Sequence, residues 1–158
     1  ATPDVTDAPV DILKAAWGKV ADDMKFPVGG GDAEHTDFEG PGLVVDKAFM
    51  GSILLIPEAE QAKIDAAGSF MHMMNANTFT SGAYHAASAD DVSAIVDEIV
   101  SNIGGRQWMC GFPEELLVMT VGDYVISAFG AKDLLDVFEA NTLKAYDMMK
   151  VAYREPIA

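Results

Sequence analysis

The stretch ELLVMTVGDYVISAFG, Glu115 to Gly130, places two apolar runs on either side of Gly122-Asp123. A glycine at the first central position suits a type II′ turn, whose twist matches that of paired strands. Leu116 to Val121 and Tyr124 to Phe129 therefore read as a β-hairpin. With a two-residue loop, Leu117, Met119 and Val121 share a face with Ala128, Ile126 and Tyr124, because side chains alternate along a strand. The opposite face carries Thr120 and Ser127 together with Leu116, Val118, Val125 and Phe129. The first face is uniformly apolar and is the one expected to meet helices.

Before the hairpin, Val92, Ile95, Val96, Ile99, Val100 and Ile103 form one helical stripe. Ser88 and Asp91 resemble a capping box at its start, and Gly104-Gly105 ends it. After the hairpin, Gly130 and Lys132-Asp133 open a final helix reaching to about Val151, with Leu134, Leu135, Phe138, Thr142, Tyr146 and Met149 along it. The segment SFMHMMNANTFTSGAYHA, beginning at Ser69, reads in two ways. Methionine favours helix locally, whereas Asn75-Ala76-Asn77 and Gly82, with Thr, Phe and Tyr nearby, favour strands around a turn. Strands at Ala66 to Asn75 and Thr78 to Ala87 are the reading adopted.

The N-terminal third is less patterned. Residues 1–8 (ATPDVTDA) read as a flexible leader, and residues 9–158 as one domain with its core at about 66–150. Leu13, Ala16, Trp17, Val20, Ala21 and Met24 mark a helix from about Val10 to Lys25, with Asp7 as N-cap and Pro9 in the first turn. Phe26 to Gly42, with Pro27, Gly29-Gly30-Gly31, Gly40 and Pro41, has no period and reads as a Gly-rich loop. Leu43 to Ile56 fits one or two short extended pieces, and Pro57 to Ile64 a short helix. The expected fold is α+β: an antiparallel sheet of about four strands with helices packed on one face, preceded by an N-terminal helix and a Gly-rich loop.

Composition narrows the function classes. In 158 residues, half of them apolar, 10 Lys+Arg stand against 25 Asp+Glu, for a formal net charge of −15. Such a surface repels phosphate backbones and anionic lipid heads, so nucleic acid is excluded as an expected partner. No apolar run approaches the length of a membrane span, roughly 20 residues. Cys110 is the one cysteine, so no internal disulfide forms; without a CxxC partner or a basic neighbourhood it reads as an inert thiol. A chain that starts at Ala1 rather than Met is expected to be a processed or trimmed product.

From Phe70 to Tyr146, four features stand in order: the Met-rich segment, the SADDVSAIVDEIVSNI helix, the Trp108 to Pro113 segment, and the hairpin with its Gly122-Asp123-Tyr124-Val125 turn. Together they resemble a family of uncharacterised lipoproteins of Gram-positive bacteria, described only as a domain of unknown function. The resemblance covers about half of the chain. The sequence departs from the family pattern at Gly104-Gly105 and Cys110, where a longer charged helix is usual. The resemblance implies an extracytoplasmic, cell-surface protein, with an export signal and a lipid-anchoring cysteine upstream of Ala1 as its one link to the membrane. It implies no catalytic residues.

Several constellations invite chemistry. Asp32, Glu34, Asp37 and Glu39 flank His35 in one loop, but position twelve from Asp32 is Leu43, so an EF-hand is ruled out and a solvated acidic loop is the plainer reading. His72 among Met71, Met73 and Met74, with His85 thirteen residues on, offers imidazole and thioether ligands to copper or haem iron. A hairpin with a six-residue loop would set His72 opposite His85, although Met on an apolar stripe is more often core filler. GxSxG, GxGxxG and GxxxxGK[ST] are absent, and Glu114-Glu115 point to opposite faces of a strand. The expectation is a non-enzymatic module that binds a protein or small ligand at the cell surface and needs no cofactor. The alternatives are a metal or haem carrier using His72 and His85, and a hydrolase whose residues meet only in the fold.

Overall fold

The computed structural model describes residues 8–106, 108 and 113–157. Its centre is the expected hairpin, β5 (Glu115–Val121) and β6 (Tyr124–Gly130). Leu117 pairs with Ala128, Met119 with Ile126 and Val121 with Tyr124. Gly122 has φ +55°, which glycine adopts without a side-chain penalty. β3 (Ile64–His72) and β4 (Phe79–Ala86) form a second hairpin, so the strand reading of the Met-rich segment holds. The two hairpins join where β4 pairs antiparallel with β6.

The sheet is larger than the expected four strands. It has seven, all antiparallel, in the order β1-β3-β4-β6-β5-β7, with β2 also paired to β3. β1 (Val28–Gly30) and β2 (Gly42–Val44) lie end to end along β3, within and after the stretch read as a loop. Glycine makes this possible: a Cβ on Gly30 would overlap the Gly40 carbonyl. Gly30 is bridged on its outer side to Asp37. At the other edge the final helix, α5 (Lys132–Ala145), stops short of Val151, and the chain returns as β7 (Lys150–Pro156) against β5. The β7 pairing shifts register between Val118 and Met119.

Helices cover both faces, not one. α1 (Pro9–Gly18) and α5 lie on the face of Leu117, Met119, Ile126 and Ala128. On the other face α4 (Val92–Gly104) buries Ile95, Ile99 and Ile103 against Leu116, Val118, Val125 and Phe129. Full burial of each such isoleucine contributes about 1.5–3 kcal/mol, and this sheet presents apolar residues on two sides. α1 ends at Gly18 instead of Lys25, and Ala8 is its N-cap; the leader residues 1–7, including Asp7, lie outside the described residues. Upstream of α4, the Ser88 hydroxyl accepts from the Asp90 amide at 3.3 Å and starts a short 3₁₀ turn.

The α1/α5 face is aromatic. Trp17, Phe26, Phe70, Phe79 and Phe138 pack edge-to-face or tilted, with ring centroids 5.0–5.8 Å apart along the series Trp17–Phe26, Trp17–Phe70, Phe70–Phe79 and Phe70–Phe138. The α4 face contains a small polar row, Ser69, Gly82 and Ser127, with the Tyr84 ring lying back over Gly82. The Tyr84 hydroxyl is fully buried and lies near the Ser127 side chain without a well-formed hydrogen bond to it; burial pushes its pKa upward and the Ser127 contact offsets only part of that.

Two short helices complete the α4 side. α2 (Lys47–Ser52) occupies the stretch expected to be extended, and Asp46 caps it by accepting from the Ala48 amide at 2.9 Å. α3 (Glu58–Gln61) is the helix expected after Pro57.

Candidate ligand-binding cleft

The residues singled out from sequence do not assemble one site. β3–β4 pairing sets Ala66 opposite His85 and Met71 opposite Thr80, so His72 and His85 lie toward opposite ends of the hairpin. The loop has the expected six residues, but it spans residues 73–78, three residues before the 76–81 loop that would set the two histidines opposite each other. His72 stacks on Phe26 at 4.9 Å, and its Nδ1 accepts from the Met74 amide at 3.1 Å. His85 Nδ1 bonds Asp65 at 2.6 Å, with Asp123 at 3.9 Å from Nε2. Among the described residues, no group of three or more His, Cys, Asp or Glu is arranged to hold a metal ion. Cys110 lies outside the described residues.

The acidic loop is not uniformly solvated. Asp32 is 1% exposed. Its Oδ2 accepts from the Val45 and Asp46 amides at 2.7 and 2.8 Å, and its Oδ1 meets the Glu34 amide at 3.2 Å and His35 Nδ1 at 2.7 Å. Burial pushes the Asp32 pKa up, but these hydrogen bonds outweigh it and hold the carboxyl well below the usual carboxylate range. Asp32 therefore pins the corner between β2 and α2. Glu115 and Glu114 also have structural partners: Arg154 bonds Glu115, and the Lys132 amide donates to Glu114.

A concavity of about 670 Å³ opens where α2, the segment 55–57, α3 and the end of α4 converge. Leu55 has φ +62°, a left-handed conformation that costs a branched residue of order 1 kcal/mol or more. Carboxamides from two sides hold it there. Asn102 Nδ2 donates to the Leu55 carbonyl at 2.6 Å, and Gln61 Nε2 donates to the Ile56 carbonyl at 3.0 Å. Gly51 leaves room for this, since a Cβ there would stand 3.0 Å from Gln61 Nε2. Lys47 from the first turn of α2 and Arg106 just past α4 supply the positive charge of the lining, and Glu58 supplies a carboxylate.

Arg106 lies over the Trp108 ring, 5.2 Å from its centroid. A smaller cavity of about 120 Å³ shares Leu55 and Arg106 with the cleft and is walled by Trp108, Phe129 and Thr80. Sequence reading missed this site because its residues are scattered from 47 to 106 and belong to no spaced motif. The one local signal was Arg106, a cation directly after the Gly104-Gly105 helix end. No family model, no curated protein and no solved structure matches this chain.

Proposed function

We propose that this chain is a non-enzymatic module that takes a small ligand in the cleft between α2, α3 and α4, and that it works outside the cytoplasm, held at the cell surface by a lipid anchor upstream of Ala1. The cleft carries the binding half of this reading. Its volume of about 670 Å³ falls in the range of small-molecule sites, roughly 300–1,000 Å³. Strained backbone held in place by side-chain hydrogen bonds, here from Asn102 and the buried Gln61, is a recurrent mark of functional sites. Its described lining offers carboxamides, an ammonium, a guanidinium and one carboxylate around apolar walls, groups suited to holding a ligand in place. The resemblance of Phe70 to Tyr146 supports the location.

Two measurements test the two halves. A small-molecule screen monitored by amide shifts in ¹⁵N-labelled protein is expected to return ligands that move the signals of Gly51, Gln61 and Asn102. Ligands that move only signals on the α1/α5 face would end the cleft reading. Expression of the complete gene in a Gram-positive host is expected to yield a membrane-associated, lipid-labelled product. A product confined to the cytoplasmic fraction would end the surface reading.

A further inference from the structure

We infer that the ligand of this cleft is a small organic anion, its acidic group held between Arg106 and Lys47 and its apolar body against Leu55, Ile56 and Pro57. The inference rests on reading the cleft as a binding site.

The chain has two arginines in a molecule of net charge −15, and their surroundings are opposite. Arg154 is surrounded by acids: Glu115 at 2.8 Å, Asp136 at 2.7 Å and Glu139 at 3.1 Å. Arg106 makes no ion pair among the described residues and lies on the Trp108 ring. Stacking on an aromatic face orients a guanidinium and leaves the donors at its edge available, a geometry suited to carboxylate or phosphate.

Lys47 also makes no ion pair among the described residues, and the adjacent Asp46 carboxylate caps α2 through the Ala48 amide. Two cations and the single carboxylate of Glu58 leave the described lining with a charge of 2 − 1 = +1. The NH₂ groups of Asn102 and Gln61 are bonded to backbone carbonyls, so they shape the wall while the two cations read the ligand's charge. The strongly acidic remainder of the surface disfavours anions elsewhere, which makes the cleft selective by contrast.

The test uses three anions, benzoate, butyrate and phenyl phosphate, with benzamide, butyramide and benzylamine as neutral and cationic counterparts. Each is titrated into ¹⁵N-labelled protein near neutral pH. At least one anion is expected to move the Gly51, Asn102 and Arg106 amides to saturation, at least about ten-fold more tightly than its counterparts, as expected for a charge-assisted contact. Arg106→Gln and Lys47→Gln should each weaken that anion about ten-fold. Lys144→Gln, on the opposite face, should leave it unchanged. All three replace exposed residues, and an unchanged spectrum away from the cleft verifies their fold. If a counterpart binds as tightly as the anion, or if Arg106→Gln and Lys47→Gln leave anion affinity intact, the anion inference is overturned while the cleft reading stands. If no probe of any charge moves the cleft amides, the anion inference is overturned and the cleft reading loses its support as well.

Discussion

Replacing Asp32 by Asn is nearly isosteric and should nevertheless destabilise the protein by about 3 kcal/mol. The carboxylate faces four N–H donors: the Val45 and Asp46 amides on one oxygen, the Glu34 amide and His35 Nδ1 on the other. An Asn amide keeps a single acceptor oxygen and turns an NH₂ against two of these donors. Two hydrogen bonds to a charged group are then lost, at about 1.5–3 kcal/mol each, and part of that is offset because a neutral amide costs less to bury than a carboxylate. In a chain of this size, about 3 kcal/mol lowers Tm by roughly 6–12 °C. The check is thermal unfolding of both proteins by circular dichroism across pH. The Asp32 pKa is depressed by folding. Its contribution is therefore complete above the unfolded value of about 3.9 and is lost as pH falls below that toward the folded value. The Tm gap should stay level from pH 7 to about pH 4.5 and narrow only below. A gap under about 1 °C at pH 7, or one that closes well above pH 5, would refute the account of Asp32 as a pin held by its charge.

Arg154→Ala removes the side chain that ties β7 to Glu115, Glu139 and Asp136. It should cost about 1–2 kcal/mol by urea unfolding, a value discounted because Asp136 is half exposed to solvent; a loss below about 0.5 kcal/mol would show that the network adds nothing. Gly82→Ala drives a methyl group into the Tyr84 ring and hydroxyl and should destabilise by about 3 kcal/mol or more. Adding Tyr84→Phe should not restore stability, because the ring carbon Cζ still stands 2.5 Å from the new Cβ; full rescue would mean the hydroxyl alone was obstructed. Tyr84→Phe by itself should change stability by less than about 1 kcal/mol, since the buried hydroxyl has no well-formed hydrogen bond to lose.

The parts of the fold legible in sequence were those where local pattern and tertiary demand agree. The Gly122-Asp123 turn, the α4 stripe and the strand reading of Phe70 and Tyr84 all depend on near neighbours and burial periodicity. The failures have particular causes. β1 contains Gly30, whose value is its missing Cβ next to Gly40 and Gly42, and Gly29, which leaves room for the Met73 side chain, long-range requirements that no strand propensity encodes. β7 was hidden because Tyr146 and Met149 continue the helical stripe, and Met149 is indeed buried, but after the chain has left the helix at Tyr146, whose φ is −135°. Covering one face only would have left Leu116, Val118 and Val125 in water, an argument the sequence already contained. The cleft was illegible for another reason. Its charge comes from residues 47 and 106, and its shape from a positive φ at Leu55 that nothing in leucine foretells.

With both faces of the sheet covered by helices, growth by stacking is closed, and only the two edges remain. One edge is divided into strands of three residues each, and Gly30 of the first is already bridged to Asp37. The other, β7, carries Lys150, Arg154 and Glu155, ends in Pro156, and has its pairing register broken partway along. Short strands, bulges, charge and proline each frustrate strand addition between molecules. The sheet is thus guarded at both borders: six strands wide, since β1 and β2 share one position beside β3, it gives a second copy a poor template on which to continue it into a fibril.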